Sequence, residues 1–272
     1  MKNCEISIIG GGNMGSAIID GLMKKGKDMQ NILLIETDES KRKQLEEQYN
    51  IMVKGNIDST IEACGTIIVA VKPQNIRQVF TGINPFINGK HLIISVAAGI
   101  TLKVMERYIT KTSQIVRTMP NIAARVGKSV CAMCYSNALS EAKRRLAIEI
   151  MESIGWVIEL EEEHLDTITG FSGSGPAFVF LMIEALTDSG VLMGISREKS
   201  YRIALETVFG SAYFLKEYNL HPAVAKEMVT SPGGTAIEGL LKLEESGFKA
   251  LIMNAVRAAT EKASQIGKKN AN

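Results

Sequence analysis

Short apolar runs alternate with amphipathic stretches along the first half of the chain. The runs are rich in Ile and Val, as buried strands are, and the stretches between them, such as Glu39–Tyr49 and Ala138–Ile154, have helical spacing. Because each helix would cross from one strand to the next, the rhythm predicts an α/β Rossmann-like, doubly wound sheet. The predicted strands are Ile6–Ile9, Ile32–Glu36, Thr66–Val71, Leu92–Val96, Ile115–Thr118, Ser129–Tyr135 and Trp156–Leu160.

The pattern changes after the acidic run Glu159–Glu163, because only helical spacing follows it. We therefore predict a dinucleotide-binding domain over residues 1–163 and an all-α domain over residues 164–272. The helices of the second domain have no sheet to cover, so their apolar faces predict a homodimer or a larger homo-oligomer. The predicted helices are Pro176–Met193, Arg197–Tyr218, Pro222–Thr230, Thr235–Glu245 and Phe248–Lys262.

The amino-acid composition limits the kinds of partner that this protein is expected to bind. The 272 residues are 46% hydrophobic with a net charge of +2, and they show no basic stripe, which disfavours nucleic acid. The longest apolar run, Ala177–Ile183, stops at Glu184 and is shorter than a membrane span. The N-terminus does not resemble a signal peptide, so we expect a soluble, cytoplasmic protein.

The cysteines and histidines suggest no metal site. Cys131 and Cys134 form a Cys-x-x-Cys without a second pair, within a strand-like segment, which favours buried reduced thiols over zinc or redox chemistry. His91, His164 and His221 lie at predicted element starts, where surface or capping roles are expected. No acid–base catalyst is therefore assigned.

The first chemical motif follows the first predicted strand directly. Gly10, Gly12 and Gly15 form a G-x-G-x-x-G turn that opens a helix at Asn13 and Met14. In such a turn the glycines allow a tight bend, close approach of a phosphate and packing of helix on strand. We predict that these residues bind the pyrophosphate of a nicotinamide dinucleotide; the alternative is a merely flexible turn.

Glu36 ends the second predicted strand, 21 residues after Gly15. A carboxylate there would accept hydrogen bonds from the adenosine ribose and repel a 2′-phosphate, which favours NADH over NADPH. Lys41 or Arg42 would partly offset that repulsion. The alternative is that Glu36 points into solvent.

Two further strand ends belong at the same edge of the sheet. Ala70, Val71, Lys72 and Pro73 end one strand, and we expect them to contact the cofactor, with Lys72 a contact or a surface lysine rather than a base. The small residues 97–99 end the next strand and would admit a flat nicotinamide ring, although a close-packed turn explains them nearly as well.

Two glycine- and proline-rich segments, Gly170–Pro176 and Thr230–Thr235, each precede a predicted helix. Their free amides suit a small carboxylate. Helix capping by Ser174 and by Ser231 or Thr235 explains them equally well.

Five segments together resemble the pyrroline-5-carboxylate reductase family over essentially the whole chain. They are the glycine turn with Asn13-Met14, residues 70–74, 117–121, 172–178 and 229–235. The resemblance implies a Rossmann domain, an interlaced helical dimerisation domain and the last step of proline synthesis. In that step hydride passes from NADH or NADPH to C5 of 1-pyrroline-5-carboxylate.

The resemblance also implies site residues. The turn containing Ser231, Gly233, Gly234 and Thr235 would hold the substrate carboxylate. The nicotinamide pocket would be lined by Ala98, Met119, Pro120 and Asn121, with Asn121 also near the substrate, and Asn56 would lie near the adenosine.

Two positions depart from the family pattern. Ala236 stands where relatives usually carry a threonine whose hydroxyl contacts the ring nitrogen, and Asn121-Ile122-Ala123 replaces the usual Asn-Thr-Pro. The first departure keeps open a catalytically weakened, dinucleotide-binding regulatory protein.

A β-hydroxyacid dehydrogenase is the other alternative. That class needs a lysine as acid or base, but Val179 and Ile183 stand where its lysine and asparagine would be. A cyclic imine can arrive already protonated, so imine reduction needs no such group.

Overall fold

One eight-stranded sheet organises the first part of the chain. The computed structural model describes residues 4–110 and 114–271, with side chains up to residue 268. The strand order is β3-β2-β1-β4-β5-β6-β7-β8, and every neighbouring pair is parallel except β6 and β7. This order confirms the predicted doubly wound fold. The strands are β1 Ile6–Ile9, β2 Ile32–Ile35, β3 Met52–Lys54, β4 Thr66–Val69, β5 Leu92–Ser95, β6 Ile115–Met119, β7 Ser129–Tyr135 and β8 Gly155–Glu159.

Helices connect the strands and then make up the rest of the described chain. The helices are α1 Asn13–Lys24, α2 Glu39–Tyr49, α3 Ile76–Ile83, α4 Leu102–Tyr108, α5 Glu141–Met151, α6 Leu165–Ile168, α7 Gly175–Leu192, α8 Arg197–Tyr218, α9 Pro222–Met228, α10 Thr235–Glu245 and α11 Phe248–Ala271. The core lies on both faces of the sheet: α1 and α5 cover one face, and α3 and α4 the other. Burial on both faces explains why strands such as β4 and β5 are buried throughout and apolar except for Thr66 and Ser95.

Several strands and helices end at residues other than the predicted ones. Strand pairing of β2 and β4 stops before Glu36 and Ala70, which leaves both residues beyond the carboxyl ends of the strands. The short edge strand β3 has no apolar run of its own and was missed. Helix α5 is shorter than predicted because Ser140 caps it, accepting a hydrogen bond from the Lys143 amide at 3.4 Å.

The chain forms two compact packing units. The first comprises Met1–Ser174 and Ala258–Asn272, and the second comprises Gly175–Arg257. Helix α11 runs nine residues beyond its predicted end at Lys262, and its C-terminal part packs within the first unit. There a Cβ on Gly99 would lie 3.2 Å from the Gly267 amide nitrogen. The domain boundary predicted at residue 163 stays a prediction.

The second unit exposes many large apolar side chains. Helices α7 and α8 pack closely, since a Cβ on Gly190 would lie 2.6 Å from the Ser200 hydroxyl. Outside that contact, Leu181 is 65% exposed and Phe209 64% exposed. The helical stretch Glu162–Leu192 is also long and apolar enough, by length and composition, to cross a membrane. A search for one uninterrupted apolar run, such as Ala177–Ile183, does not detect this longer stretch.

The cysteines form two pairs with different roles. Cys4 and Cys64 form a disulfide between the segments that precede β1 and β4, which the sequence analysis did not anticipate. Cys131 and Cys134 are free and buried, as predicted. Burial raises the pKa of each thiol to about 12, so neither is a reactive thiolate.

The histidines serve local structure. His221 caps α9 through Nδ1, which accepts a hydrogen bond from the Ala223 amide at 3.2 Å, as predicted. His91 is buried rather than at the surface, and its Nδ1 accepts a hydrogen bond from the Asn88 amide at 3.0 Å. The described residues contain no group of three or more His, Cys, Asp or Glu side chains placed to hold a metal ion.

Candidate active site

The glycine turn between β1 and α1 leaves no room for side chains at two positions. Gly10 has φ of 104°, and a Cβ there would lie 2.7 Å from the Ala70 carbonyl oxygen. A Cβ on Gly15 would collide with the Gly10 carbonyl oxygen. The turn therefore requires glycine at both positions, and the merely flexible turn is the poorer interpretation.

The same turn leaves an open cradle for an anion. Apart from Gly12 itself and the adjoining residues of the chain, no described atom lies within 4 Å of the place where a Gly12 Cβ would be. Gly12 is the N-cap of α1 but gives it no side-chain cap, and the amides of Gly12, Asn13 and Met14 have no acceptor in residues 4–110 and 114–271. Free amides at the start of a helix are the arrangement that binds a pyrophosphate, so the residues present fit a dinucleotide.

Glu36 turns towards the glycine loop rather than into solvent. Its Oε2 accepts a hydrogen bond from the Gly11 amide at 2.9 Å, and its Oε1 accepts one from the Asp38 amide at 3.0 Å. These bonds hold a negative charge at the end of β2, beside the anion cradle.

The two cations near Glu36 are placed differently. The Arg42 guanidinium donates to the carbonyl oxygens of Glu36 at 3.1 Å and Thr37 at 2.7 Å, so its donors are partly occupied. Lys41, at the start of α2, has no such bond and faces the cleft.

Seven predicted cofactor residues come together in one cleft of about 640 Å³, which we call the β2–β4 cleft. It lies in the first packing unit, along the carboxyl ends of β1, β2 and β4. The predicted residues that line it are Gly10, Gly12, Glu36, Asn56, Ala70, Val71 and Lys72. Gln74, Asn75 and Gln78 also line it and had been given no role. Gln74 belongs to the 70–74 motif and lies with Asn75 on the helical turn Pro73–Asn75, whereas Gln78 lies on α3, which carries no motif.

The other predicted cofactor residues lie outside that cleft. Asn13 lines a neighbouring cleft, and Pro73 begins the helical turn after β4. At the end of β6, the Met119 Cε would lie 2.9 Å from a Cβ on Gly173, so Met119 packs against residues 169–173. The roles of Ala98, Met119 and Pro120 at the nicotinamide stay predictions.

The Asn121 side chain is hydrogen-bonded to other residues of the same chain. Its Oδ1 accepts a hydrogen bond from the Ala123 amide at 3.1 Å, and its Nδ2 donates to the backbone oxygen and the hydroxyl of Ser172, both at 3.1 Å. These bonds tie the end of β6 to the π-helical turn Thr169–Gly173. The observed arrangement is that of a positioning residue, and a direct contact of Asn121 with substrate stays a prediction.

The capping alternative for the two glycine- and proline-rich segments is wrong. The Ser174 hydroxyl donates back to the Thr169 carbonyl at 3.2 Å. The N-cap of α10 is Gly234, which makes no side-chain cap bond, so neither Ser231 nor Thr235 caps that helix. The Gly234 amide donates to the Ser231 carbonyl at 3.0 Å in a tight turn, with Gly233 at φ of 65°.

The α10 N-terminus therefore presents uncapped amides beside two small residues. Thr235 is exposed and Ala236 is half-buried on the first turn of the helix. This geometry suits a small carboxylate.

A buried arginine that had been given no individual role ties β6 to the segment that follows β8. Arg117 is 3% exposed on β6, and its guanidinium donates to Glu162 Oε1 at 3.1 Å and Asp166 Oδ1 at 3.0 Å. Glu162 Oε1 also accepts a hydrogen bond from the Leu102 amide at 2.7 Å. The sequence signals for Arg117 were a charged residue within an apolar strand and its place at the start of the 117–121 motif.

Known proteins share this fold over the whole chain. The family model described as pyrroline-5-carboxylate reductase dimerisation matches residues 162–266, and that described as NADP oxidoreductase, coenzyme F420-dependent, matches residues 5–99. The pyrroline-5-carboxylate reductase of Methanosarcina acetivorans is 37% identical over 99% of this chain and 100% of its own. The crystal structure of Plasmodium falciparum pyrroline carboxylate reductase with NADP bound has a TM-score of 0.86 and 31% identity, covering 98% of this chain and 99% of its own.

The doubly wound sheet and the open glycine turn define a nicotinamide-dinucleotide-dependent oxidoreductase. Relatives at this identity and coverage define it further: the chain belongs to the pyrroline-5-carboxylate reductase family. It is therefore an NAD(P)H-dependent oxidoreductase that acts on a carbon–nitrogen double bond. The family resemblance and the predicted fold class are confirmed.

Proposed function

We propose that this protein transfers hydride from NADH, in preference to NADPH, to C5 of 1-pyrroline-5-carboxylate and so forms proline. The observation that carries the proposal is the anion cradle at Gly12 with the Glu36 carboxylate fixed beside it. A cofactor ribose in the β2–β4 cleft would meet that carboxylate, which accepts hydroxyl donors and opposes a 2′-phosphate.

The chain's own residues supply binding and orientation. Backbone amides at the start of α1 hold the pyrophosphate, and those at the start of α10, with Ser231, Gly233, Gly234 and Thr235, hold the substrate carboxylate. When bound, the reduced nicotinamide supplies the hydride. An imine that is already protonated would accept this hydride at C5, with the electron pair of the carbon–nitrogen π bond moving to the ring nitrogen as the nicotinamide becomes oxidised. No acid–base side chain is assigned to this step.

Steady-state assays test the proposal. Purified protein with 1-pyrroline-5-carboxylate and either cofactor should show imine-dependent loss of the reduced-nicotinamide absorbance, with a higher kcat/KM for NADH. Higher efficiency with NADPH would refute the cofactor preference.

A regulatory protein is the second candidate function, and the half-buried Ala236 favours it because a hydroxyl found in relatives is missing there. Calorimetric binding of NADH without any imine-dependent oxidation would support that candidate. Reduction of NAD+ or NADP+ only in the presence of hydroxy acids would instead support the dehydrogenase class.

A further inference from the structure

A second cleft, of about 440 Å³, opens between α1 and α2 on the other side of the glycine turn. We call it the α1–α2 cleft. Gly12, Lys41 and Lys72 line both this cleft and the β2–β4 cleft, so the two meet at the turn. Arg125 lines only the α1–α2 cleft.

A short loop element holds Arg125 in place. Residues Ile122–Val126 form a 3-10 helix that Asn121 caps and that ends at Gly127, with φ of 68°. Ala124 anchors this element, since it is only 4% exposed and belongs to the core cluster on the α1 side of the sheet. The adjacent Arg125 side chain consequently projects towards the start of α1.

The Arg125 guanidinium reaches the helix end that forms the anion cradle. Its Nη1 lies 3.5 Å from Oδ1 of Asn13, the first residue of α1. This contact is at the long limit for a hydrogen bond and leaves the other guanidinium donors available.

The charge balance around Arg125 favours an anion. The charged groups that line the α1–α2 cleft are Lys41, Lys72 and Arg125 against the single carboxylate of Asp20. Arg125 makes no ion pair with any carboxylate in the described part of the chain. Asp20 instead hydrogen-bonds the buried Tyr49, whose pKa is raised to about 12 chiefly by burial.

We infer that Arg125 binds the pyrophosphate of the cofactor from the α1 side, opposite the side that Glu36 occupies. The inference rests on the proposed function for the identity of the ligand. A guanidinium is suited to this task because its donors match phosphate oxygens in pairs. The pyrophosphate is the relevant group because Arg125 meets α1 at its N-terminus, whereas the carboxylate that marks the ribose lies at the end of β2.

Binding measurements with the full chain test the inference without requiring turnover. The dissociation constants of NADH, NADPH, ADP-ribose and AMP are measured calorimetrically for wild type and Arg125→Gln. The expected result is a loss of about tenfold for the three ligands that contain the pyrophosphate, the usual scale for one charge-assisted contact, with little change for AMP.

Two further variants control the comparison. Lys128→Gln removes the same charge from an exposed position near the loop and should leave all four constants unchanged. Arg125→Lys keeps the charge and should lose less affinity than Arg125→Gln, while unchanged melting temperatures establish that the variants fold.

Either of two results would overturn the inference: an unchanged constant for NADH, or a loss confined to NADPH, which would assign Arg125 to the 2′-phosphate. Failure of the proposed function looks different. In that case wild type binds NADH, and Arg125→Gln weakens it, but no imine is reduced.

Discussion

At the residue scale, the proposed preference for NADH depends on the Glu36 carboxylate. The Glu36 carboxylate accepts hydrogen bonds from the amides of Gly11 and Asp38, and these bonds hold it in place when a ligand approaches. Lys41 and Lys72 line the same cleft, while Arg42 is bonded to backbone carbonyls. The proposed preference therefore rests on a fixed carboxylate opposed by two lysine side chains.

Glu36→Gln should raise the ratio of kcat/KM for NADPH to that for NADH by about tenfold, because it removes the repulsion of a 2′-phosphate and keeps one acceptor. Steady-state kinetics with both cofactors measure the ratio. Glu39→Gln, on an exposed position of α2, is the control and should not change it. An unchanged ratio in Glu36→Gln would refute the role of Glu36.

Ala236 is one of the two places where this chain departs from the family pattern. Ala236→Thr should raise kcat several-fold, roughly the effect of one hydrogen bond that strengthens as the electron pair moves onto the ring nitrogen. Thr235→Ala is the matched variant, since it removes the neighbouring hydroxyl. If Thr235→Ala abolishes turnover and Ala236→Thr leaves kcat unchanged, the Thr235 hydroxyl has taken over the role.

Cys131 and Cys134 should be inert towards thiol reagents in the folded protein. The reactive form is the thiolate, and burial raises both pKa values to about 12, so raising the pH from about 7 to about 9 still leaves nearly all of each group protonated. Ellman's reagent should therefore show no pH-dependent labelling in that range until denaturant is added. Rapid labelling of the native protein at pH 8 would contradict the burial.

At the scale of elements, the Cys4–Cys64 disulfide joins two segments that precede neighbouring parallel strands, β1 and β4. Such a bond restricts the unfolded chain across a separation of 60 residues. Disulfides are rare in most cytoplasmic proteins, so this bond is the observation that bears against the predicted location.

The double variant Cys4→Ser/Cys64→Ser should lower the free energy of unfolding by about 2 to 4 kcal/mol under non-reducing conditions. Denaturant unfolding followed by circular dichroism measures the change. Reductant should destabilise wild type and not the variant. Four titratable thiols in the unreduced, denatured wild-type protein would show that the bond does not form.

At the scale of the whole molecule, the second unit exposes large apolar side chains. Exposed apolar side chains such as Leu181 and Phe209 belong to the unit matched by the dimerisation family model, and burying them against a second copy would remove a large apolar surface from water. This assembly also explains why the stretch Glu162–Leu192 is apolar without requiring a membrane.

Sedimentation velocity at micromolar concentration should therefore show a homodimer or a larger homo-oligomer. Leu181→Asp should shift the distribution towards monomer, because it places a charge in the predicted interface. Val126→Asp, at a 68% exposed position of the first unit, is the control and should not change the assembly. A strictly monomeric wild-type protein would refute the prediction.

Local pattern was enough to predict much of this protein. The alternation of strands and helices, the glycine turn and the position of Glu36 all depend on residues close together in sequence. Edge strand β3 and the end of α11 escaped prediction because their limits depend on what they pack against.

The sequence by itself determined the doubly wound fold, the dinucleotide turn and the family, since periodicity, glycine spacing and motif order are properties of short segments. Only the tertiary structure decided that Glu36 faces Gly11, that Asn121 holds Ser172, that Arg125 reaches Asn13 and that Cys4 meets Cys64. The physical reason is distance along the chain. These partners lie between 25 and 112 residues apart, and no local pattern specifies which distant side chains the folded sheet brings together.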